Sequence, residues 1–199
     1  MLNVQNLCCR RGGRIVFRNI GFTVEPGGLV LVTGANGTGK SSLLRLMAGL
    51  IAPLSGSIEW QGTAITVDVT AHRARLHYIG HLDALKTNLS VTEMLDYWRA
   101  LRGGGRINLE AFALKGLTGR PVRSLSAGQK RRLSLTRLTI DHAPLWILDE
   151  PSTALDVQGQ ALLHTQIAEH RAKGGIVLIA THEAWQVPNA QRLEIAGAP

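Results

Sequence analysis

The chain has 199 residues, 45% of them hydrophobic and 18% charged, with a formal net charge of +8. These values exclude a disordered polymer and give one domain large enough for a real core. No apolar run approaches the roughly 18 residues that a membrane-spanning helix needs. The positive charge fits an anionic partner (a nucleotide, a nucleic acid or an anionic leaflet) without choosing among them.

Along the chain, residues 2–7 and 14–24 alternate apolar and polar side chains, the pattern of antiparallel strands. The first residues lack the layout of a signal peptide. Cys8 and Cys9 are adjacent, so they could form only a strained vicinal bridge, and reduced thiols are the simpler expectation. Pro26-Gly27-Gly28 marks a turn before the short apolar run Leu29–Thr33, a buried parallel strand. Leu43, Leu44, Met47 and Leu50 fall at helical spacing, predicting a helix over 40–50 that Pro53 ends. Residues 57–62 read as an exposed-edge strand and turn.

From about residue 83 to 135 the chain changes to a helical insert. Ser90-Val91-Thr92-Glu93 is a capping-box pattern opening a helix with Met94, Leu95, Trp98 and Leu101 on one face. Gly103-Gly104-Gly105 breaks it, and Leu109, Phe112, Ala113 and Leu117 predict a second short helix. Buried strands return at 145–148 and 176–179, with a helix over 158–173 between them. Strand, crossover helix, strand gives a parallel sheet within an α/β fold.

The chemistry starts at Gly34, Ala35, Asn36, Gly37, Thr38, Gly39, Lys40, Ser41 and Ser42, which match G-x-x-x-x-G-K-[ST] between a predicted strand and a predicted helix. Glycines let successive backbone N–H groups turn inward around phosphate oxygens, and the helix adds its positive end. Lys40 is placed to reach the β- and γ-phosphates, and Ser41 to ligate Mg²⁺. Asp149 and Glu150 end the apolar strand Leu145–Leu148, at the sheet edge where ligands bind in open α/β folds. Asp149 suits Mg²⁺, and Glu150 suits a general base for water. A guanine-reading Lys-x-Asp is absent, since none of the five lysines has Asp two positions on.

Leu125-Ser126-Ala127-Gly128-Gln129 resembles the signature motif of ATP-binding-cassette (ABC) ATPases, with Ala127 where glycine is commoner. Glu150–Asp156 resembles the segment from the catalytic glutamate into the D-loop, and Thr181-His182 resembles the switch histidine. With the phosphate loop, these motifs stand in the family's order across residues 2–195. The resemblance implies a P-loop ATPase fold: a parallel core sheet, an antiparallel β subdomain and an inserted helical subdomain in one domain, 1–199. It implies a homodimer that closes head to tail over ATP and Mg²⁺. In that dimer Asn36 joins the phosphate cradle, Ser126, Gly128 and Gln129 face the partner's γ-phosphate, Asp156 touches the partner, and His182 positions the water. An ordinary helix cap is the other reading of Ser126.

Two further positions depart from the family pattern. His81 stands where many members have a metal-binding glutamine, and an imidazole there can bind metal or a metal-bound water. Near residue 11, where an adenine-stacking aromatic is expected, the chain reads Cys9-Arg10-Arg11-Gly12, so either an arginine plane stacks on the base or base contact is poor. With Leu85-Lys86, Leu89-Ser90 and the run Leu145–Pro151, the chain is similar to the ATPase subunits of cytochrome c maturation (haem exporter) systems. That implies a subunit on the cytoplasmic face of a bacterial inner membrane, docked on a separate integral membrane subunit. Tyr97, Trp98 and Leu101 are candidates for the docking contact. An ABC ATPase with another cargo, or one acting on ribosomes or DNA, are the alternatives; no nucleic-acid partner is expected.

Overall fold

The computed structural model describes residues 1–182 and 185–196. Two compact units form. The first comprises Met1–Tyr78, Pro144–Glu150 and the residues from His170 on; the second comprises Ile79–Ala143 and Pro151–Glu169.

In the first unit, β1 (Leu2–Arg11), β2 (Arg14–Val24), β4 (Ser55–Trp60) and the two-residue β5 (Thr63–Ala64) form an antiparallel sheet in the order β2-β1-β4-β5. The expected edge strand is therefore flanked on both sides. A five-stranded sheet runs β6-β7-β8-β3-β9, with β3 (Leu29–Thr33), β6 (Leu76–Ile79), β7 (Leu145–Asp149), β8 (Ile176–Ala180) and β9 (Ala190–Glu194). β7, β8, β3 and β9 are mutually parallel. The unbroken apolar runs of β3, β7 and β8 are explained by burial on both faces. Val30, Val32, Leu145, Ile147, Ile176, Leu178 and Ala180 join one core with the antiparallel sheet and helix α1 (Lys40–Met47).

Leu43, Leu44, Leu46 and Met47 of α1 are all 0% exposed, each burial worth about 1.5–3 kcal/mol. The helix stops earlier than its periodicity suggested. Gly49 takes φ +64°, the Gly49 N–H donates to Leu46 O and the Leu50 N–H to Arg45 O. This glycine cap, not Pro53, ends the helix, and Leu50 is half exposed. Helix α2 (Val69–Ala74), capped by Asp68, has no counterpart in the sequence reading.

In the second unit, α3 (Val91–Leu101) opens with the expected capping box. Val91, Met94, Leu95 and Trp98 are its buried residues, whereas Leu101 is 66% exposed and does not join that face. The second short helix is not an α-helix. Ala113 takes φ +53°, and the segment folds into turns and a 3-10 turn at Lys115–Leu117, with Phe112 and Leu114 buried. Helix α4 (Ala127–Leu135) and most of α5 (Val157–Ala172) complete this unit.

Candidate functional site

β3, β8 and β7 end in register. Val32 pairs with Ala180, and Ala180 pairs with Asp149. The three chain segments that leave these ends are the phosphate loop, Thr181-His182 and Glu150. At ~4.8 Å between strands, this gathers them within about 10 Å along one sheet edge.

The loop is built around a lysine and three glycines. Lys40 is 8% exposed, and its ammonium donates to Gly34 O at 2.8 Å and Ala35 O at 3.1 Å. Thr38 Oγ1 donates to Ala35 O at 2.9 Å. Gly34, Gly37 and Gly39 take φ of +138°, +84° and +109°. At Gly39 a Cβ would also meet Val16 Cγ1 at 2.3 Å, and at Gly34 one would meet Ile195 O at 2.4 Å. The β1–β2 hairpin and the segment after β9 thus wall the loop, a role invisible in the residue types of Val16, Phe17 and Ile195.

These residues fit a triphosphate. α2, α3 and α4 each have a side-chain cap, from Asp68, Ser90 and Ser126. α1 has none on Gly39 and no acidic residue in its first turn. Its first N–H groups, which lack intrahelical acceptors, are therefore offered to an anion. Among the described residues no group of three or more His, Cys, Asp or Glu side chains could cage a metal. Mg²⁺, which keeps waters and takes few protein ligands alongside phosphates, suits Ser41 and Asp149 at this edge.

Asp149 is 2% exposed at the end of β7. Tyr78, on β6, has its phenol pKa pushed up by burial and by the Asp149 charge, against a hydrogen bond from Arg45. Glu150 takes φ +49°, left-handed for a non-glycine residue, and its N–H donates to Ala180 O at 2.9 Å. His182 Nδ1 lies 2.9 Å from Glu150 Oε2. The sheet edge therefore brings Glu150 and His182 into direct contact.

Ser126, Gly128, Gln129, Asp156 and His81 all belong to the second unit. Ser126 Oγ accepts from the Gln129 N–H at 3.2 Å, and Gln129 Oε1 accepts from the Ser126 N–H at 3.0 Å. The cap reading of Ser126 is thus correct in itself. It leaves the Ser126 hydroxyl hydrogen to be donated elsewhere. A Cβ on Gly128 would meet Ala154 O at 2.8 Å, so the signature packs its glycine on the D-loop backbone. Asp156 Oδ1 accepts from the Gly159 N–H at 2.8 Å and caps α5. His81 is exposed in the loop after β6, and Arg11 is exposed at the end of β1.

A family profile described as ABC transporter matches residues 17–153. This chain belongs to the ABC transporter family. Curated relatives called "Cytochrome c biogenesis ATP-binding export protein CcmA" match nearly end to end. The one from Paramagnetospirillum magneticum is 47% identical over 97% of this chain and 93% of its own. That from Nitrosococcus oceani is 43% identical over 98% and 92%. Among solved structures, an ATP-binding subunit of an ABC transporter aligns with a TM-score of 0.82 and 27% identity, over 91% of this chain and 79% of that one. A dimeric bacterial ABC transporter cassette, MJ0796, shares the fold with a TM-score of 0.78 at 20% identity, covering 92% and 88%. The ABC-type α/β fold expected from the motifs is the one found. No helix among the described residues is long and apolar enough to cross a membrane.

Proposed function

We propose that this chain is the ATP-hydrolysing subunit of an ABC export complex at the cytoplasmic face of a bacterial inner membrane, serving haem handling in c-type cytochrome biogenesis. It works as a homodimer with an integral membrane subunit of the CcmB type. The observation that carries this reading is near-full-length identity of 43–47% to several CcmA proteins, joined to a sheet edge that has the parts for phosphoryl transfer to water.

In this reading Lys40 and the loop N–H groups from Gly34 to Ser42, with Asn36 among them, hold the triphosphate. Mg²⁺, held by Ser41 and Asp149 with His81 as a further candidate, would neutralise charge on the phosphates. Glu150 takes the proton from the attacking water, and His182, hydrogen-bonded to it, sets its direction. Ser126 and Gly128 of one protomer offer donors to the nucleotide held by the other. Asp156 meets the partner protomer.

The deciding experiment is to tag the chain in its host, solubilise the membranes and identify what co-purifies. A polytopic membrane protein encoded beside cytochrome-assembly genes supports the reading. A transporter subunit of unrelated cargo, or ribosomal RNA, overturns it.

A further inference from the structure

Lys130–Arg132 is a short basic cluster in the sequence, yet Arg131 is only 2% exposed. Its Nε donates to Pro151 O at 3.1 Å. Its Nη1 donates to Gly80 O at 3.1 Å and to Asp83 Oδ1 at 2.8 Å. One turn further along α4, Ser134 Oγ donates to Asp83 O at 3.2 Å. A buried guanidinium is tolerated only when its rigid fork of donors is matched, and here three acceptors match it and join three separate segments. They are the signature helix that carries it, the Gly80–Asp83 loop that carries His81, and the peptide that follows Glu150.

The last of these bonds has a consequence for Glu150. Its φ of +49° is a sparsely populated conformation for a side chain with a Cβ, and it persists only where neighbouring structure holds it. On the N-terminal side the Glu150 N–H is fixed by Ala180 O. On the C-terminal side stands Pro151, which has no N–H, so its carbonyl is the only backbone hydrogen-bonding group it offers. Arg131 takes that carbonyl. We propose that Arg131 is a positioning residue for Glu150: through Pro151 it holds the strained backbone that aims the carboxylate, and it ties Pro151 to the His81 loop.

The inference rests on reading Glu150 as the base, so the experiment carries both. Steady-state ATP hydrolysis by the purified full chain is compared for the unmutated protein, Glu150→Gln, Arg131→Met, Arg131→Lys and Asp83→Asn. Arg102→Met is the control, because Arg102 makes a comparable part-buried pair with Asp141 at 2.8 Å in the same unit. Arg131→Met is expected to lower kcat by about tenfold or more with KM within about twofold, the pattern of a lost transition-state interaction. Arg131→Lys, whose ammonium cannot reach all three acceptors, falls between. Asp83→Asn lowers kcat less than Arg131→Met, and Arg102→Met leaves it unchanged. An unchanged kcat in Arg131→Met, or an equal fall in Arg102→Met, overturns the proposal. Should Arg131→Met not fold, an unchanged kcat in Asp83→Asn overturns it instead. Undiminished hydrolysis by Glu150→Gln is a separate outcome, which removes the base assignment and the inference with it.

Discussion

His182 Nδ1 stands 2.9 Å from Glu150 Oε2, and the His182 backbone N–H makes a longer contact, 3.4 Å, to the same oxygen. One carboxylate oxygen is thus held by both the ring and the backbone of the residue that leaves β8. The side chain of Glu150 is 13% exposed and that of His182 62% exposed, so the carboxylate is shielded while its partner faces solvent. Glu150→Gln keeps the shape and can still accept from His182, but it cannot take a proton. Turnover should fall about 10²–10⁴-fold, the range of a general base, with nucleotide binding retained. Hydrolysis rates beside equilibrium binding of a fluorescent ATP analogue check this, and a near-normal rate removes Glu150 as the base.

If His182 acts by orienting Glu150, the two are one functional unit. His182→Ala alone should depress kcat. The double variant His182→Ala with Glu150→Gln should be scarcely worse than Glu150→Gln, because residues acting together are not additive. Independent, multiplying losses would assign His182 a role of its own.

Lys40 contributes the only side-chain charge at the centre of the loop, 8% exposed and hydrogen-bonded to Gly34 O and Ala35 O. Lys40→Ala should weaken ATP binding by about tenfold or more, the equivalent of losing one charge-assisted hydrogen bond of about 1.5–3 kcal/mol. Isothermal titration gives the answer, and undiminished affinity would count against the phosphate-loop assignment.

The parallel strands and the phosphate loop were legible because both are local: a buried strand is an unbroken apolar run, and the loop is contiguous. β7 extends one residue beyond its apolar run, to Asp149, and β8 one residue beyond the expected 176–179, to Ala180. Long-range features were not legible. Val16 and Ile195 wall the loop from opposite ends of the chain, and no periodicity in either neighbourhood reports it. β9 escaped notice because Ala190–Glu194 is half polar, as an edge strand allows. The helix expected around Leu109–Leu117 failed because apolar spacing alone does not exclude turns, and Ala113 is left-handed. Arg131 could not be singled out in sequence because its three acceptors lie about 20 to 50 residues away.

His72 gives the fold a dependence on pH. It is 1% exposed, its Nε2 lies 2.7 Å from Met47 O at the end of α1, and its Nδ1 is buried without a hydrogen-bond partner. Burial holds its pKa below the ordinary 6.5, with Arg75 and Arg73 adding to the fall and the Met47 hydrogen bond opposing it. The unfolded chain therefore takes up this proton before the folded one does. Stability is full above the unfolded pKa and declines as pH falls below about 6.5, until the folded pKa is passed. The melting temperature should drop between pH 7.5 and 5.5, and His72→Gln, which can still donate to Met47 O, should flatten that slope. An unaltered slope in the variant would assign the acid loss to other groups.

The reading of Ser126 divides cleanly between a cap and a phosphate ligand. As a cap it only accepts, from the Gln129 N–H at 3.2 Å. Aspartate caps as well as serine does, so Ser126→Asp should leave the melting temperature nearly unchanged. It nevertheless sets a negative charge where the other protomer's phosphate would lie, and turnover should be lost. Lys40→Ala loses turnover by a different route. Mixed dimers of the two inactive variants then contain one site with both defects and one site with neither. Mixing equal amounts, with free exchange of protomers, should restore about a quarter of the unmutated rate, since half the dimers are mixed and each has one intact site of two. The measurement is hydrolysis before and after mixing. No recovery, with Ser126→Asp alone fully active, would show that this serine only caps its helix and that each protomer completes its own site.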